Sequence, residues 1–296
     1  MSILNPPKEN MMIVITGATG QLGRLVIAEL LKTHPAAELV AAVRSPQKAQ
    51  DLAALGVNVR QADYNRPETL DSAFQGAEKL LLISSNEIGR RVEQHRAVVD
   101  AAKRAKVTLL AYTSLLRADT SPLGLGEEHR ATEALLHDSG LPVALLRNGW
   151  YSENYAAGIP AALARHALAG AAGDGRIASA ARADYAAAAA AVLTLDGQAG
   201  KSYELAGDGA YTLTELAAEI SRQAGAEVKY VNLPRDEYQA LLIKAGLPAP
   251  IAALLADSDA GAAQGGLFDD RRQLSRLIGR PTTPIKDTVA AALQAG

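Results

Sequence analysis

Short apolar runs alternate with amphipathic stretches through the first half of the chain. Residues 12–16, 39–43, 79–84, 108–112 and 142–147 are dominated by Ile, Val, Leu and Ala in runs too short for helices, and they read as buried strands. A shorter run at 57–60 adds a strand between the second and third of these. The intervening segments carry apolar residues at helical spacing and predict helices over 21–32, 46–55, 69–74, 90–106 and 127–138, with Pro67 opening the third.

Strands separated by helices imply a parallel sheet with helices on both faces, because right-handed crossovers lay successive helices against the sheet. The predicted fold class is therefore α/β: a doubly wound Rossmann sheet with a smaller, partly interleaved C-terminal lobe. The second half is less regular. Ala-rich helices are expected over 156–169 and 181–195, strands over 201–205 and 228–231, and a helix opening at Thr212, whose spacing to Glu215 is that of a capping box. The expected organisation is a flexible extension over 1–11, a dinucleotide-binding domain over 12–150 and a substrate lobe over 151–296. Segments at about 176–206 of that lobe are expected to return to the sheet.

Composition narrows the function classes. The 296 residues are 48% apolar with a formal net charge of −2, enough for a full core and without the basic excess of a nucleic-acid binder. The chain has no cysteine, so disulfides and thiolate chemistry are excluded. No apolar run approaches the roughly 20 residues that span a bilayer. The polar first residues, with Pro6 and Pro7, lack the features of a signal or transit peptide. A cytoplasmic protein is the expectation. No metal-ligand spacing is present among the histidines, so no metal is expected.

The chemistry begins at the first strand–helix turn. Gly17, Ala18, Thr19, Gly20, Gln21, Leu22 and Gly23 follow a predicted strand and open a predicted helix. In that context the first glycine permits the turn, the second lets the backbone approach a pyrophosphate, and the third lets helix and strand pack closely. Amide N–H groups at the helix start then face the phosphates. With Thr16 the segment resembles the glycine turn of the extended and atypical short-chain dehydrogenase/reductases. At the end of the second strand stands Arg44, where a site for NAD would place a carboxylate. A guanidinium there suits the 2′-phosphate of NADP, with Lys48 one turn on, so NADPH is the expected cofactor. Asp63, after the third strand, has two readings: a contact near the adenine, or a turn or cap before Pro67.

The Tyr-x-x-x-Lys pair of most short-chain dehydrogenases is missing. Where it should fall, the helix carries His129 and Glu133. Reducing a ketone creates an alkoxide-like oxygen that needs a positioned acid. Reducing a quinone creates a phenolate-like oxygen with a pKa of about 10, which needs little acid catalysis. The loss of the pair therefore argues against alcohol or sugar chemistry and permits a quinone-type reductase or a protein that only senses the cofactor. His129 is a candidate proton donor, or else a helix-surface histidine paired with Glu133. After the sixth strand, Asn148 could hold an amide or quinone oxygen, and Trp150 and Tyr151 could stack on a flat ring or pack a lobe interface.

Taken with the segments 81–85, 111–116, 145–155, 171–175 and 265–270, the chain resembles the bacterial NAD(P)H:quinone oxidoreductase type 2 family, a branch of the NmrA-like atypical short-chain reductases. The resemblance runs from Met12 nearly to the C-terminus. It implies NADPH-dependent reduction of quinones by direct hydride transfer without flavin. It places Gly17, Ala18, Thr19, Gly20, Gln21 and Leu22 on the pyrophosphate and Arg44 on the 2′-phosphate. Ser84, Ser85 and Asn86 line the cofactor, with Asn86 standing where a serine is expected. Asn148, Gly149, Trp150, Tyr151, Ser152 and Glu153 form the floor near the nicotinamide, and Asn148, Tyr151 and His129 are the candidates for catalysis. The partner implied is a small-molecule quinone, without nucleic acid or membrane; a homodimer is compatible with the sequence but not specified by it. The alternatives are an NADP(H)-sensing regulatory protein of the NmrA-like kind and a reductase of triphenylmethane dyes.

Overall fold

The computed structural model describes residues 11–295. The extension expected over 1–11 lies outside these residues except for Met11. The first elements are β1 (Ile13–Thr16), α1 (Gln21–Leu30), β2 (Leu39–Val43), α2 (Gln50–Ala54), β3 (Asn58–Gln61), α3 (Glu68–Ala73), β4 (Lys79–Leu82), α4 (Arg91–Ala105), β5 (Leu109–Leu115), α5 (Gly126–Asp138) and β6 (Val143–Asn148). Then come α6 (Ser152–Ala156), α7 (Ile159–Arg165), β7 (Ala167–Gly170), α8 (Arg182–Thr194), β8 (Ser202–Leu205), α9 (Leu213–Ala224) and β9 (Lys229–Asn232). The chain closes with α10 (Arg235–Lys244), α11 (Ala249–Ala263), α12 (Gln273–Ile278) and α13 (Ile285–Ala295).

Seven strands form one sheet in the order β3-β2-β1-β4-β5-β6-β8, and β7 pairs with β9 in a second, two-stranded sheet. The order reverses at β1, with β2 on one side and β4 on the other, both parallel to it: Thr16 pairs with Ala42, and Ile15 with Leu81. The α/β doubly wound expectation therefore holds. Strands β1, β2, β4 and β5 are buried along their whole length, which is why they appear in the sequence as unbroken apolar runs rather than alternating ones.

The chain divides into two compact units. One comprises the residues through Thr113 together with Thr132–Leu145 and Ala189–Lys201. Its core joins Val14, Val40, Leu80 and Leu82 of the sheet to Leu70, Val98, Val99 and Ala102 of the helices. The other comprises Ser114–Ala131, Leu146–Ala188 and the residues from Ser202 onward. Its core gathers Leu115, Leu123, Trp150, Ile159, Leu213 and Ile220.

One expectation fails. The Ala-rich stretch 156–169 is not a single helix. It breaks at Ala157 and Gly158 into α6 and α7, with Pro160 in the first turn of α7, and His166 leaves α7 in the left-handed region at φ 53°. Residues 167–170 then extend as β7 and pair with β9, so cross-strand partners override the alanine helix propensity there. The capping box at Thr212 is present: its hydroxyl accepts from the Glu215 amide at 3.1 Å and the Glu215 carboxylate accepts from the Thr212 amide at 2.7 Å.

Candidate functional site

In the first unit the glycine turn is shaped by backbone contact. Gly17 sits at φ +59°, and a Cβ on Gly23 would lie 2.6 Å from the Gly17 carbonyl oxygen and 2.7 Å from the Ala18 Cα. The third glycine therefore lets α1 press on the turn itself. Helix α1 starts at Gln21 with no side-chain cap and no acidic residue in its first turn. Its first amide groups have no carbonyl within the helix, which makes this end suited to an anion. Arg24 locks the turn to the second strand–helix connection, donating to the carbonyls of Thr19 at 3.2 Å and Lys48 at 2.9 Å while pairing with Asp51.

Arg44 follows β2 and is exposed, and its guanidinium pairs with Glu87 at 3.2 Å. The Asp63 carboxylate accepts the Asn65 amide at 3.0 Å, a turn contact that leaves its other carboxylate oxygen outside that bond. The neighbouring Tyr64 hydroxyl donates to Thr16 Oγ1 at 2.6 Å, and burial raises its pKa. Thr16 Oγ1 also accepts the Ile83 amide at 3.1 Å, so β1, the 63–66 loop and the end of β4 are tied at one hydroxyl.

The loop after β4, which holds Ser84, Ser85 and Asn86, is fixed by the first turn and a half of α4. His95, fully buried, accepts the Ser85 amide on Nε2 at 2.9 Å, and its Nδ1 lies 3.0 Å from the Thr132 hydroxyl. Those two partners fit the neutral tautomer protonated on Nδ1. Burial, and then the nearby Arg91 charge, push its pKa down to about 3. Gln94, also buried, is hydrogen-bonded by the Ser85 hydroxyl and donates to Glu87 at 2.8 Å and to Asn65 at 3.1 Å. Arg91 donates to the Ser85 carbonyl at 2.7 Å. Gln94 and His95 did not stand out as functional in the sequence. The signal was available: positions 91, 94, 95, 98, 99 and 102 share one face of α4, so polar residues interrupt an otherwise apolar stripe.

In the second unit the segment after β6 is built around the residues expected there. Asn148 and Trp150 are buried, and the Gly149 amide donates to the Leu205 carbonyl at 2.7 Å. The Asn148 side chain hydrogen-bonds the Tyr151 hydroxyl, whose pKa is raised, chiefly by burial. Arg182 lies over the Tyr151 ring at 4.5 Å and Tyr185 meets it edge-on at 5.2 Å. Ser152 Oγ lies 2.8 Å from Ser179 Oγ, and both Glu153 carboxylate oxygens accept the Arg182 amide, at 2.9 and 3.1 Å. Trp150 packs in the core of this unit, 6.5 Å from the Tyr155 ring. His129 is buried, at 4% exposure, so the surface-histidine reading does not hold.

Two buried polar atoms of this segment, Asn148 Oδ1 and Trp150 Nε1, have no hydrogen-bond partner among the described residues. Each such group costs about 1–3 kcal/mol unless something satisfies it. One is an acceptor and the other a donor, as a carboxamide and a carbonyl-bearing ring would require. Within the first unit, the uncapped glycine turn and the cation after β2 fit the phosphates of an NADP-type dinucleotide.

Another buried cluster in the second unit escaped the sequence reading. Asp259 on α11 accepts from the Tyr155 hydroxyl and the Ala171 amide, each at 3.0 Å, and burial pushes its pKa up to about 6. The turn at Gly173, Asp174 and Gly175 is anchored beside it. The Gly173 amide donates to Asn232 at 2.9 Å and the Ala172 amide to the Tyr230 hydroxyl at 3.1 Å.

The NAD(P)H-binding family model matches residues 17–196. Quinone oxidoreductase 2 of Escherichia coli is 61% identical over 279 residues, 94% of this chain and 98% of that protein. The crystal structure of an NADPH-dependent quinone oxidoreductase from Escherichia coli complexed with NADPH matches with a TM-score of 0.93 at 60% identity, covering 95% of this chain and all of that one. The triphenylmethane reductase of a Citrobacter species matches with a TM-score of 0.92 at 38% identity, covering 96% of this chain and all of that one. The chain belongs to the NAD(P)H-binding family and, within it, to the bacterial quinone oxidoreductase type 2 proteins.

Proposed function

We propose that this protein is an NADPH-dependent quinone oxidoreductase that works by direct hydride transfer without flavin. The observation that carries the reading is the 61% identity, over nearly the whole length of both chains, to an enzyme named quinone oxidoreductase 2. The site geometry supports it residue by residue. The N-terminus of α1 and the turn from Gly17 to Leu22 hold the pyrophosphate, and Arg44 holds the 2′-phosphate. Ser84, Ser85 and Asn86, set by Gln94 and His95, line the cofactor. In the second unit, Asn148 Oδ1 and Trp150 Nε1 are an acceptor and a donor left open to a ligand.

When bound, NADPH supplies the hydride. The protein orients the two rings, and a residue with a tuned pKa is not demanded, because the reduced quinone oxygen has a pKa of about 10 and takes its proton readily. His129 and Glu133, in place of a Tyr–Lys pair, fit this lower demand.

The test is NADPH oxidation by the purified protein with benzoquinone or naphthoquinone, with a ketone and with a triphenylmethane dye. Turnover is expected to be fastest with the quinones and negligible with the ketone. Folded, NADPH-binding protein that shows no quinone-dependent oxidation would end this reading, and faster turnover of the dye would move the assignment to dye reduction.

A further inference from the structure

The Arg44 guanidinium already has an anionic partner within the protein. Glu87, on the loop between β4 and α4, brings Oε1 to 3.2 Å from Arg44 Nη1. This carboxylate does not hang from a free loop. Its Oε2 accepts from the buried Gln94 amide at 2.8 Å, and the Glu87 backbone amide donates to Ser85 Oγ at 3.1 Å. Gln94 is 2% exposed and also receives the Ser85 hydroxyl, so the carboxylate is held in place by side chains packed in the first turns of α4.

We propose that Glu87 is an internal competitor for Arg44 and so a specificity-determining residue that lowers the preference for NADPH over NADH. This rests on the reading of Arg44 as the 2′-phosphate site. A carboxylate and a phosphate dianion are both anions with strong acceptor oxygens and seek the same edge of a guanidinium. Placed together on one arginine they repel. A cofactor with a 2′-phosphate must therefore displace the carboxylate or bind beside it against like charge. A cofactor with a bare 2′-hydroxyl meets neither obstacle. Because the pair is solvent-exposed, the effect is moderate: a coupling typical of an exposed ion pair corresponds to a change of about 1.5-fold to fivefold in affinity.

The experiment measures dissociation constants for NADPH and NADH by fluorescence titration, at low and at physiological salt, for the natural protein, Glu87→Gln, Arg44→Ala and the double variant. Glu87→Gln keeps the side-chain shape and removes the charge. It is expected to tighten NADPH binding by up to about fivefold while leaving NADH unchanged. Arg44→Ala is expected to abolish the preference for NADPH. In the double variant the Glu87→Gln gain is expected to disappear, since the competition needs the arginine.

If Arg44→Ala leaves the NADPH-to-NADH ratio unchanged, the assignment of Arg44 is wrong and the competition falls with it. If Arg44→Ala behaves as expected but Glu87→Gln does not tighten NADPH, Arg44 stands and the role of Glu87 is overturned. An equal Glu87→Gln gain with and without Arg44 overturns it too, because that result reports a general charge effect.

Discussion

Gly23→Ala is expected to unseat α1 and abolish measurable NADPH binding. The added methyl would sit 2.6 Å from the Gly17 carbonyl oxygen, 2.7 Å from the Ala18 Cα and 3.0 Å from the Ala18 carbonyl carbon. All three are backbone atoms of the turn, so no side-chain rotation relieves the overlap. The helix has to retreat by the best part of an ångström, which costs several kcal/mol of packing, on the order of overpacking in a core or above it. The same shift misaligns the amide groups at the helix start, and NADPH affinity should fall at least about 100-fold, a loss of roughly 2.7 kcal/mol. Gly20→Ala is the contrasting variant. Its methyl meets a single atom, the Gly17 oxygen, at 3.1 Å. It should melt within a few degrees of the natural protein yet bind NADPH more weakly, because the methyl stands where the pyrophosphate approaches. Thermal melting without cofactor and NADPH titration read the two effects separately. A Gly23→Ala protein with natural melting and natural affinity would show that the turn does not depend on this contact.

The acid side of the stability profile is expected to conceal two opposing titrations. His95 has a folded-state pKa pushed down to about 3 against about 6.5 in an unfolded chain. Its contribution to stability is complete above pH 6.5 and is lost as pH falls toward 3, with a slope of at most about 1.4 kcal/mol per pH unit. Asp259 runs the other way. Its folded pKa is pushed up to about 6 against about 3.9 unfolded. Its contribution is present at low pH and is lost as pH rises through that window, with a similar limiting slope of about 1.4 kcal/mol per unit. Between about pH 4 and 6 the two slopes largely cancel. His95→Gln should therefore make the protein relatively more stable on acidification, and Asp259→Asn should expose a steep acid loss, whatever constant offset each substitution adds. Urea unfolding at pH 7.5, 6.0, 5.0 and 4.5 measures this. The two groups belong to different units, so separate unfolding steps, if resolved, assign each slope to its own unit. A His95→Gln protein that keeps the natural pH dependence would refute the account.

How far the sequence reaches depends on how local the cause is. The buried strands β1, β2, β4 and β5 were legible because a strand covered on both faces has to be apolar throughout. The glycine turn was legible because its geometry is set within seven residues, and the Thr212 capping box because it closes over four. Arg44 was found by its place at the end of β2, and the structure keeps it there, exposed at the carboxyl end of a strand beside β1.

What sequence could not give is whatever depends on partners far along the chain. Residues 167–170 carry helix-forming alanines, but pairing with β9 some sixty residues later makes them a strand. The burial of His129 is equally invisible in the helix that carries it. The supports of the loop after β4 come from α4 and from Thr132, and the carboxylate opposite Arg44 comes from that same loop. Asp259 meets Tyr155 and Ala171 across about a hundred positions, and only that enclosure raises its pKa. The sequence alone determined the sheet, the glycine turn and the cation that follows β2, because each is a short-range consequence of residue type. Tertiary structure decided which polar side chains are desolvated and what faces them, because burial and charge pairing are properties of the packed chain.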